Sequence, residues 1–384
     1  MIERLLLFCP ASVGGIADYT HAQANALAGH GVEVSLLCNL NWPHSTNTGF
    51  RQLREIPLPV LQSNLPRWAS RVRTAISILR SYRTLVRVIQ RDGHRRVLLA
   101  SYLEYLAPTW AGWLRELARN GVVFGAIVHD PVRDYVVGPG WWHMRSVAAG
   151  YSFLREAFVH AAINLDTVRP MGNMRTTVIP HGPFAFPPAS KSREQVRCEL
   201  GIPRDGRVLL AFGHLRDGKN LDLVLRSLVE LPDVYLIVAG GEQSRAQKPA
   251  SFYQRLAEDL GVGNRCHWLI RFIKPDEVGG LFAAADLVAL TYSRAFRSAS
   301  GVLNAAVYHR RPCLASGGEG NLQSMVKRYS LGFWIEPDNL SALLGGLRRW
   351  QLHALKPRWD DYEADNSWER NAELVKERMF SAKP

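Results

Sequence analysis

The stretch AFGHLRDGKNLDLVLRSL, residues 211–228, holds the architecture of the chain in miniature. The apolar run 208–212 ends at Gly213, and a polar loop with His214, Arg216 and Lys219 follows. Leu221, Leu225 and Leu228 then recur at helical spacing. Strand, basic loop and helix in that order predict a βα unit. Its loop falls at the carboxyl end of a parallel strand, where open α/β sheets take ligands. Cations beside a helix N-terminus suit a phosphate or diphosphate; an ordinary loop with solvated charges is the alternative.

The same alternation extends both ways along the chain. Residues 5–8, 31–38, 97–100, 122–128 and 178–179 are strand candidates before this unit. Residues 234–239, 266–269, 287–290 and 312–315 are candidates after it. Strands alternating with helical patterns predict an α/β protein with two doubly wound, Rossmann-like sheets in tandem. Two such sheets facing a cleft would offer a ligand site at their carboxyl ends. The Pro-rich, charged stretch FPPASKSREQ reads as interdomain linker. The expected domains are therefore 1–187 and 206–358, with a linker at 188–205. The closing NSWERNAELVKERMF predicts a helix with Asn366 or Ser367 as N-cap.

Composition narrows the function classes. The chain has 384 residues, 47% of them hydrophobic and 21% charged, which is ordinary for a globular protein of two domains. Its five cysteines are odd in number and scattered, without metal-ligand spacing, so free thiols in a reducing, cytoplasmic compartment are expected. No metal site is expected. The start MIERLLLFCPA carries Glu3 and is too short an apolar run for a signal peptide, and no apolar run is long enough to span a membrane. The net charge of +13 fits nucleic acid, an anionic membrane face or an acidic ligand. Nucleic acid fits least, because no aromatic platform interleaves the arginines.

Three loops and one helix could carry function. VGGIADYT, residues 13–20, joins the first strand to the first helix, and Gly14–Gly15 let backbone approach a ligand or simply make a tight turn. It is not the dinucleotide fingerprint, so no nicotinamide cofactor is expected. AIVHDP places His129 at a strand end, where it could donate to a sugar hydroxyl or a phosphate, or be structural. SRAFRSASGVLNAAV, residues 293–307, puts Ser300, Gly301 and Val302 at a helix start, with Arg294 and Arg297 close by. Along residues 66–92, Trp68, Ala75, Ile78, Leu79, Tyr82, Leu85, Val86 and Ile89 share one helix face. Arg73, Arg80, Arg87 and Arg91 form a stripe on the other face, which fits either solvation or contact with an anionic membrane surface.

With these loops in place, the chain resembles the retaining family 4 (group 1) glycosyltransferases of GT-B fold. The resemblance rests on Gly14–Gly15, His129, the turn IPHG at 179–182, FGHLRDGKN, the segment ADLVALTYSRAFRSASGVLNAAVYHRRPCLAS and the closing helix. It implies a nucleotide-diphosphate sugar held mainly by the second domain and a glycan or lipid-linked acceptor held mainly by the first. No cofactor or metal is implied, and residues 359–384 would cross back onto the first domain. Lys219 matches the family's phosphate-binding Lys, while the matching Arg position holds His214, with Arg216 two residues on. The donor set implied is Gly15, His214, Arg216, Lys219, Arg297, Ser300, Gly301 and Val302. His129 and Lys219 would be catalytic, and Asp18 and Tyr19 would lie on the acceptor side. The family's paired glutamates fall near Arg297 and on Asn304 or Ala305, and none of these is acidic. The expected function is glycosyl transfer with retention in cell-surface polysaccharide synthesis, peripheral to the inner membrane face. A catalytically degenerate binding or partner protein is the alternative, and an epimerase of the same fold a further one.

Overall fold

The computed structural model describes residues 2–11, 14–42, 48–58, 67–101, 104–131, 136, 138–162, 164–165, 174–183, 186–242 and 247–381, and the side chains of 67, 68, 70 and 71 lie outside that description. The chain divides into two compact units, one comprising residues 1–182 and 366–384, the other residues 183–365.

The first unit holds a seven-stranded sheet whose pairs are all parallel, in the order β3-β2-β1-β4-β5-β6-β7. Its strands are β1 (Arg4–Cys9), β2 (Glu33–Asn39), β3 (Arg51–Ile56), β4 (Arg96–Leu99), β5 (Val123–Ile127), β6 (Glu156–Val159) and β7 (Arg175–Val178). The helices α1 (Gly15–Gly29), α2 (Arg67–Asp92), α3 (Ala107–Arg119) and α4 (Gly140–Tyr151) connect them. Right-handed crossovers that run in opposite directions from β1 and β4 put α1 on one face and α3 on the other. Stacked Tyr82 and Trp110, 3.7 Å between centroids, join α2 to α3 in the core. On α2, Tyr82, Leu85 and Ile89 are buried, and Ile78, Leu79 and Val86 pack against the core as expected from the wheel. The expectation for Trp68 lies outside the described side chains.

The second unit holds a six-stranded parallel sheet in the order β10-β9-β8-β11-β12-β13. These strands are β8 (Arg207–Phe212), β9 (Val234–Ala239), β10 (Cys266–Leu269), β11 (Leu287–Thr291), β12 (Cys313–Ser316) and β13 (Gly332–Trp334). The helices are α5 (Arg193–Glu199), α6 (Leu221–Leu228), α7 (Ala250–Asp259), α8 (Pro275–Ala284), α9 (Gly301–Tyr308), α10 (Asn321–Arg328), α11 (Leu340–Leu352) and α12 (Trp359–Asp365). Alternate residues of β8 serve two cores: Val208 and Leu210 face one, Leu209 the other. Burial on both faces is why these strands read as unbroken apolar runs.

Two boundaries differ from expectation. The stretch expected as linker carries α5, closed by a capping box between Ser192 and Gln195 and packed on α8. Its charges are used internally: Arg193 and Arg197 grip Asp286 at 2.5 and 2.7 Å, and Asp286 also accepts from the Val208 amide. Composition alone cannot separate a solvated charge from one held by a partner distant in sequence. The second difference lies in the tail, where α12 belongs to the second unit and α13 (Trp368–Ser381) to the first, with α13 packed on α1. The Ser367 hydroxyl accepts from the Arg370 amide, so Ser367 is the N-cap.

Candidate functional site

In each sheet the strand order reverses direction once, between β1 and β4 and between β8 and β11. Loops leaving the carboxyl ends at such a point diverge and open a crevice. The loop after β1 contains Gly14 and Gly15, the loop after β8 contains residues 213–220, and the loop after β11 contains residues 292–300.

In the second unit, Gly213 turns out of β8 with φ +83°, and a Cβ at the neighbouring Gly240 would strike the Gly213 carbonyl. The Lys219 ammonium lies beside this turn and donates to the Phe212 carbonyl at 2.7 Å. A Cβ on Gly213 would stand 3.3 Å from Lys219 Nζ and 3.5 Å from Val302 Cγ2, so the lysine and the start of α9 share the turn. Burial pushes the Lys219 pKa down to about 7, with the Arg216 cation adding to the effect. The Arg216 guanidinium lies over the rings of Tyr292 and Phe296, at 5.9 and 5.6 Å, which are themselves stacked at 4.1 Å. Among the described residues neither Lys219 nor Arg216 has a carboxylate partner. His214 is exposed, and partial burial of its ring, then Lys219 and Arg216, hold its pKa below the usual histidine value.

Ser300 caps α9 by accepting from the Leu303 amide, and its hydroxyl also meets Tyr292 Oη at 3.0 Å. Gly301 and Val302 supply the first helical amides, which have no partner within the helix. Arg297 is exposed on the loop before this cap. Asn304 and Ala305 are buried, and Asn304 Oδ1 accepts from Tyr362 at 2.5 Å. Neither therefore offers a polar group to a ligand.

The structure adds residues that the sequence did not single out. Thr291 donates to the Lys219 carbonyl at 2.8 Å. Asp338 accepts from Asn220 and from the Arg294 amide, both at 2.9 Å, and so ties the β8 and β11 loops together. The left-handed φ of Asn220 and Asp338, 51° and 59°, fits the asparagine and aspartate preference for that region; a signal was present in DGKN and PDN.

In the first unit, Tyr19 and His129 meet edge to face at 4.9 Å, while Gly15 and Asp18 are exposed on the first turn of α1. His129 Nε2 lies 3.1 Å from the Ala100 carbonyl, which can only accept, so Nε2 carries the hydrogen. Burial keeps this imidazole neutral by lowering its pKa. Its Nδ1 is then an acceptor, which corrects the expected donor role. His160 after β6 and His181 after β7 crowd the same tyrosine, at 5.5 and 5.0 Å. Only the IPHG turn hinted at this nest. On α2, Arg73, Arg80 and Arg87 are exposed, whereas Arg91 is engaged by Glu55 at 3.0 Å and Asp92 at 2.7 Å. No group of three or more metal-ligating side chains occurs among the described residues, and none of their helices is long and apolar enough to cross a membrane.

Residues 192–373 match the family Glycosyl transferases group 1. The chain is 30% identical over 230 residues to D-inositol 3-phosphate glycosyltransferase of Mycobacterium tuberculosis. That alignment covers 56% of this chain and 42% of the relative, so it spans less than half of the relative's length. Sucrose-phosphate synthase from Thermosynechococcus elongatus superposes with a TM-score of 0.69 at 17% identity, covering 97% of each chain. HepE of Anabaena in complex with UDP superposes with a TM-score of 0.65 at 16% identity, covering 99% of this chain and 96% of that one. Residues 192–373 thus match the group 1 glycosyl transferase family, and the chain as a whole shares the two-domain GT-B fold of these structures.

Proposed function

We propose that this chain is a glycosyltransferase that moves a sugar from a nucleotide-diphosphate donor to a glycan or lipid-linked acceptor, with retention, in cell-surface polysaccharide synthesis. The observation that carries this reading is the cationic turn of the second unit. Lys219 and Arg216, both without carboxylate partners among the described residues, adjoin the free amides at the start of α9. In the transfer, the bond from the anomeric carbon to the diphosphate oxygen would break, and a bond to the acceptor oxygen would form as the acceptor's proton passes to the departing diphosphate. Charge builds on the departing diphosphate. Lys219, Arg216 and the amides of Gly301 and Val302 would stabilise it from fixed positions. His214, in place of the family's arginine, would add a hydrogen bond without charge. His129 Nδ1 would accept from a sugar hydroxyl and orient the ring, with Gly15 and Asp18 on the acceptor side, whereas Tyr19, buried beneath Trp368 and bonded to Asn371, packs inside the first unit and lines no ligand site, contrary to expectation.

A thermal-shift titration of the purified chain with UDP, GDP and ADP and their sugars tests the reading. One nucleotide family should raise the melting temperature by mass action. No shift with any of them in folded protein would overturn it. The catalytically degenerate alternative draws on the absence of an acidic group at Arg297, Asn304 and Ala305. It predicts binding of a glycan or a partner protein without transfer, and failure of the folded chain to bind any nucleotide sugar would favour it.

The exposed side of α2 supports peripheral attachment to the cytoplasmic membrane face. Arg73, Arg80 and Arg87 are joined there by Val72 and Ile76, which are 50% and 43% exposed. Near an anionic surface each arginine would contribute about 1 kcal/mol. Co-sedimentation with vesicles containing phosphatidylglycerol should be strong at low salt and fall severalfold in the triple variant R73E/R80E/R87E. Equal binding by the variant would refute this attachment.

A further inference from the structure

Resting on the donor-site reading above, one buried side chain joins the two halves of that site. The residues flanking Tyr292 fasten the β11 loop to the β8 loop. Thr291 donates to the Lys219 carbonyl, and the Ser293 amide to the Gly218 carbonyl, both at 2.8 Å. The Tyr292 carbonyl in turn accepts from Ser316 on β12, also at 2.8 Å. The backbone here is therefore held on both sides, and the Tyr292 side chain is 3% exposed. A buried phenol needs a partner for its hydroxyl. That partner is Ser300 Oγ at 3.0 Å, the same oxygen that accepts from the Leu303 amide to cap α9. Burial raises the phenol's pKa, so the hydroxyl keeps its proton at neutral pH.

The ring of Tyr292 serves a different group. With Phe296 it forms an aromatic shelf under the Arg216 guanidinium. The Phe296 carbonyl accepts from the Gly318 amide at 2.9 Å, so the turn after β12 backs the shelf. Arg216 is half-buried and its stem is long, so without the shelf it would sample many rotamers. One residue thus holds Arg216 through its ring and the start of α9 through its hydroxyl. Val302, in the first turn of α9, and Lys219 already share the turn at Gly213. Cations and amides stabilise a departing diphosphate only as well as they are fixed beforehand. We propose that Tyr292 is a positioning residue, which sets Arg216 and the amides of Gly301 and Val302 in register for the diphosphate of the donor. Being buried, it does so without touching the ligand.

Two substitutions separate the roles: Tyr292→Phe keeps the ring and removes the hydroxyl, and Tyr292→Leu removes both. UDP and GDP are titrated by calorimetry into the full chain, with circular dichroism confirming each fold. Tyr292→Phe should weaken binding about two- to tenfold, the range for one lost hydrogen bond. Arg216→Gln should then cost the same factor in Tyr292→Phe as in the unsubstituted chain, because the shelf remains. In Tyr292→Leu binding should weaken further, and the added cost of Arg216→Gln should shrink severalfold, the non-additivity of coupled groups. A tyrosine that served only the core would lower the melting temperature while Arg216→Gln cost the same factor in all three backgrounds; that result overturns the inference. If Tyr292→Leu does not fold, Tyr292→Phe decides, and unchanged affinity there overturns the inference. Either failure leaves the donor site intact. Absence of UDP and GDP binding by the unsubstituted chain overturns the donor site and this inference together.

Discussion

Lys219 has two competing partners for its ammonium: the Phe212 carbonyl it now holds, and any anion entering beside Gly213. The low pKa follows from burial, and a bound diphosphate would reverse it by favouring the charged form. A nucleotide sugar has no phosphate that titrates near neutrality, so any proton exchange on binding would report the protein. With the free lysine near 7 and the bound one higher, affinity should be greatest below pH 7 and decline above it. At pH 8 binding should take up a proton. Calorimetry in buffers of different ionisation enthalpy measures this directly, and a buffer-independent heat would contradict it. Lys219→Ala should weaken donor binding roughly 10- to 100-fold, the loss of about 1.5–3 kcal/mol for a hydrogen-bonded charge. At this scale the residue types were legible in order along the chain. The tautomer of His129 was not, because it depends on the Ala100 carbonyl at the end of another strand.

The helix α13 shows what a single element can do for a core it joins late. Asn371 is fully buried there, donating to Tyr19 Oη at 3.0 Å and to the Pro180 carbonyl at 2.7 Å while accepting from Gln23 at 2.9 Å. Trp368 covers Tyr19 and His181 from the same helix. Asn371→Ala would strand buried polar partners and should destabilise the first unit by about 2–4 kcal/mol, read by denaturant unfolding. The histidine nest beneath it adds a pH dependence. His160 is held well below the usual histidine value and His181 at about 4, chiefly by burial. Below pH 6.5 the unfolded chain therefore binds protons that the folded chain refuses. Stability of this unit should be level above pH 6.5 and fall progressively towards pH 4. Unfolding followed in His160→Gln should show a shallower fall, and an unchanged slope would exclude the nest as its source. The helix itself was legible from its periodicity. The nest was not, because its histidines follow different strands and share only the ring of Tyr19.

Over the whole molecule the two units differ in continuity. Residues 183–365 form an uninterrupted unit, whereas the first unit needs residues 366–384 to complete it. A fragment of residues 183–365 should fold by itself and retain nucleotide binding; a fragment of residues 1–182 should not melt cooperatively, since α1 would lack its α13 partner. Circular dichroism melts of both fragments check this, and a cooperative melt of 1–182 would refute it. Most central strands were visible as buried apolar runs, β9 and β10 to the residue. The strands β3, β6 and β13 escaped notice for separate reasons. In β3, RQLREI buries only Leu53 and Ile56; β6 is four residues long with a buried Glu156; β13 is three residues long and half-buried. What the sequence alone determined was the class of fold, the order of its units and the loops that would carry charge. Those properties depend on periodicity and on residues adjacent in the chain. Only the tertiary structure decided which charges are paired: Asp286 absorbs Arg193 and Arg197, Glu55 absorbs Arg91, and Lys219 and Arg216 have no carboxylate partner among the described residues. An ion pair is a meeting of residues far apart in sequence, and only the packed backbone brings them within reach.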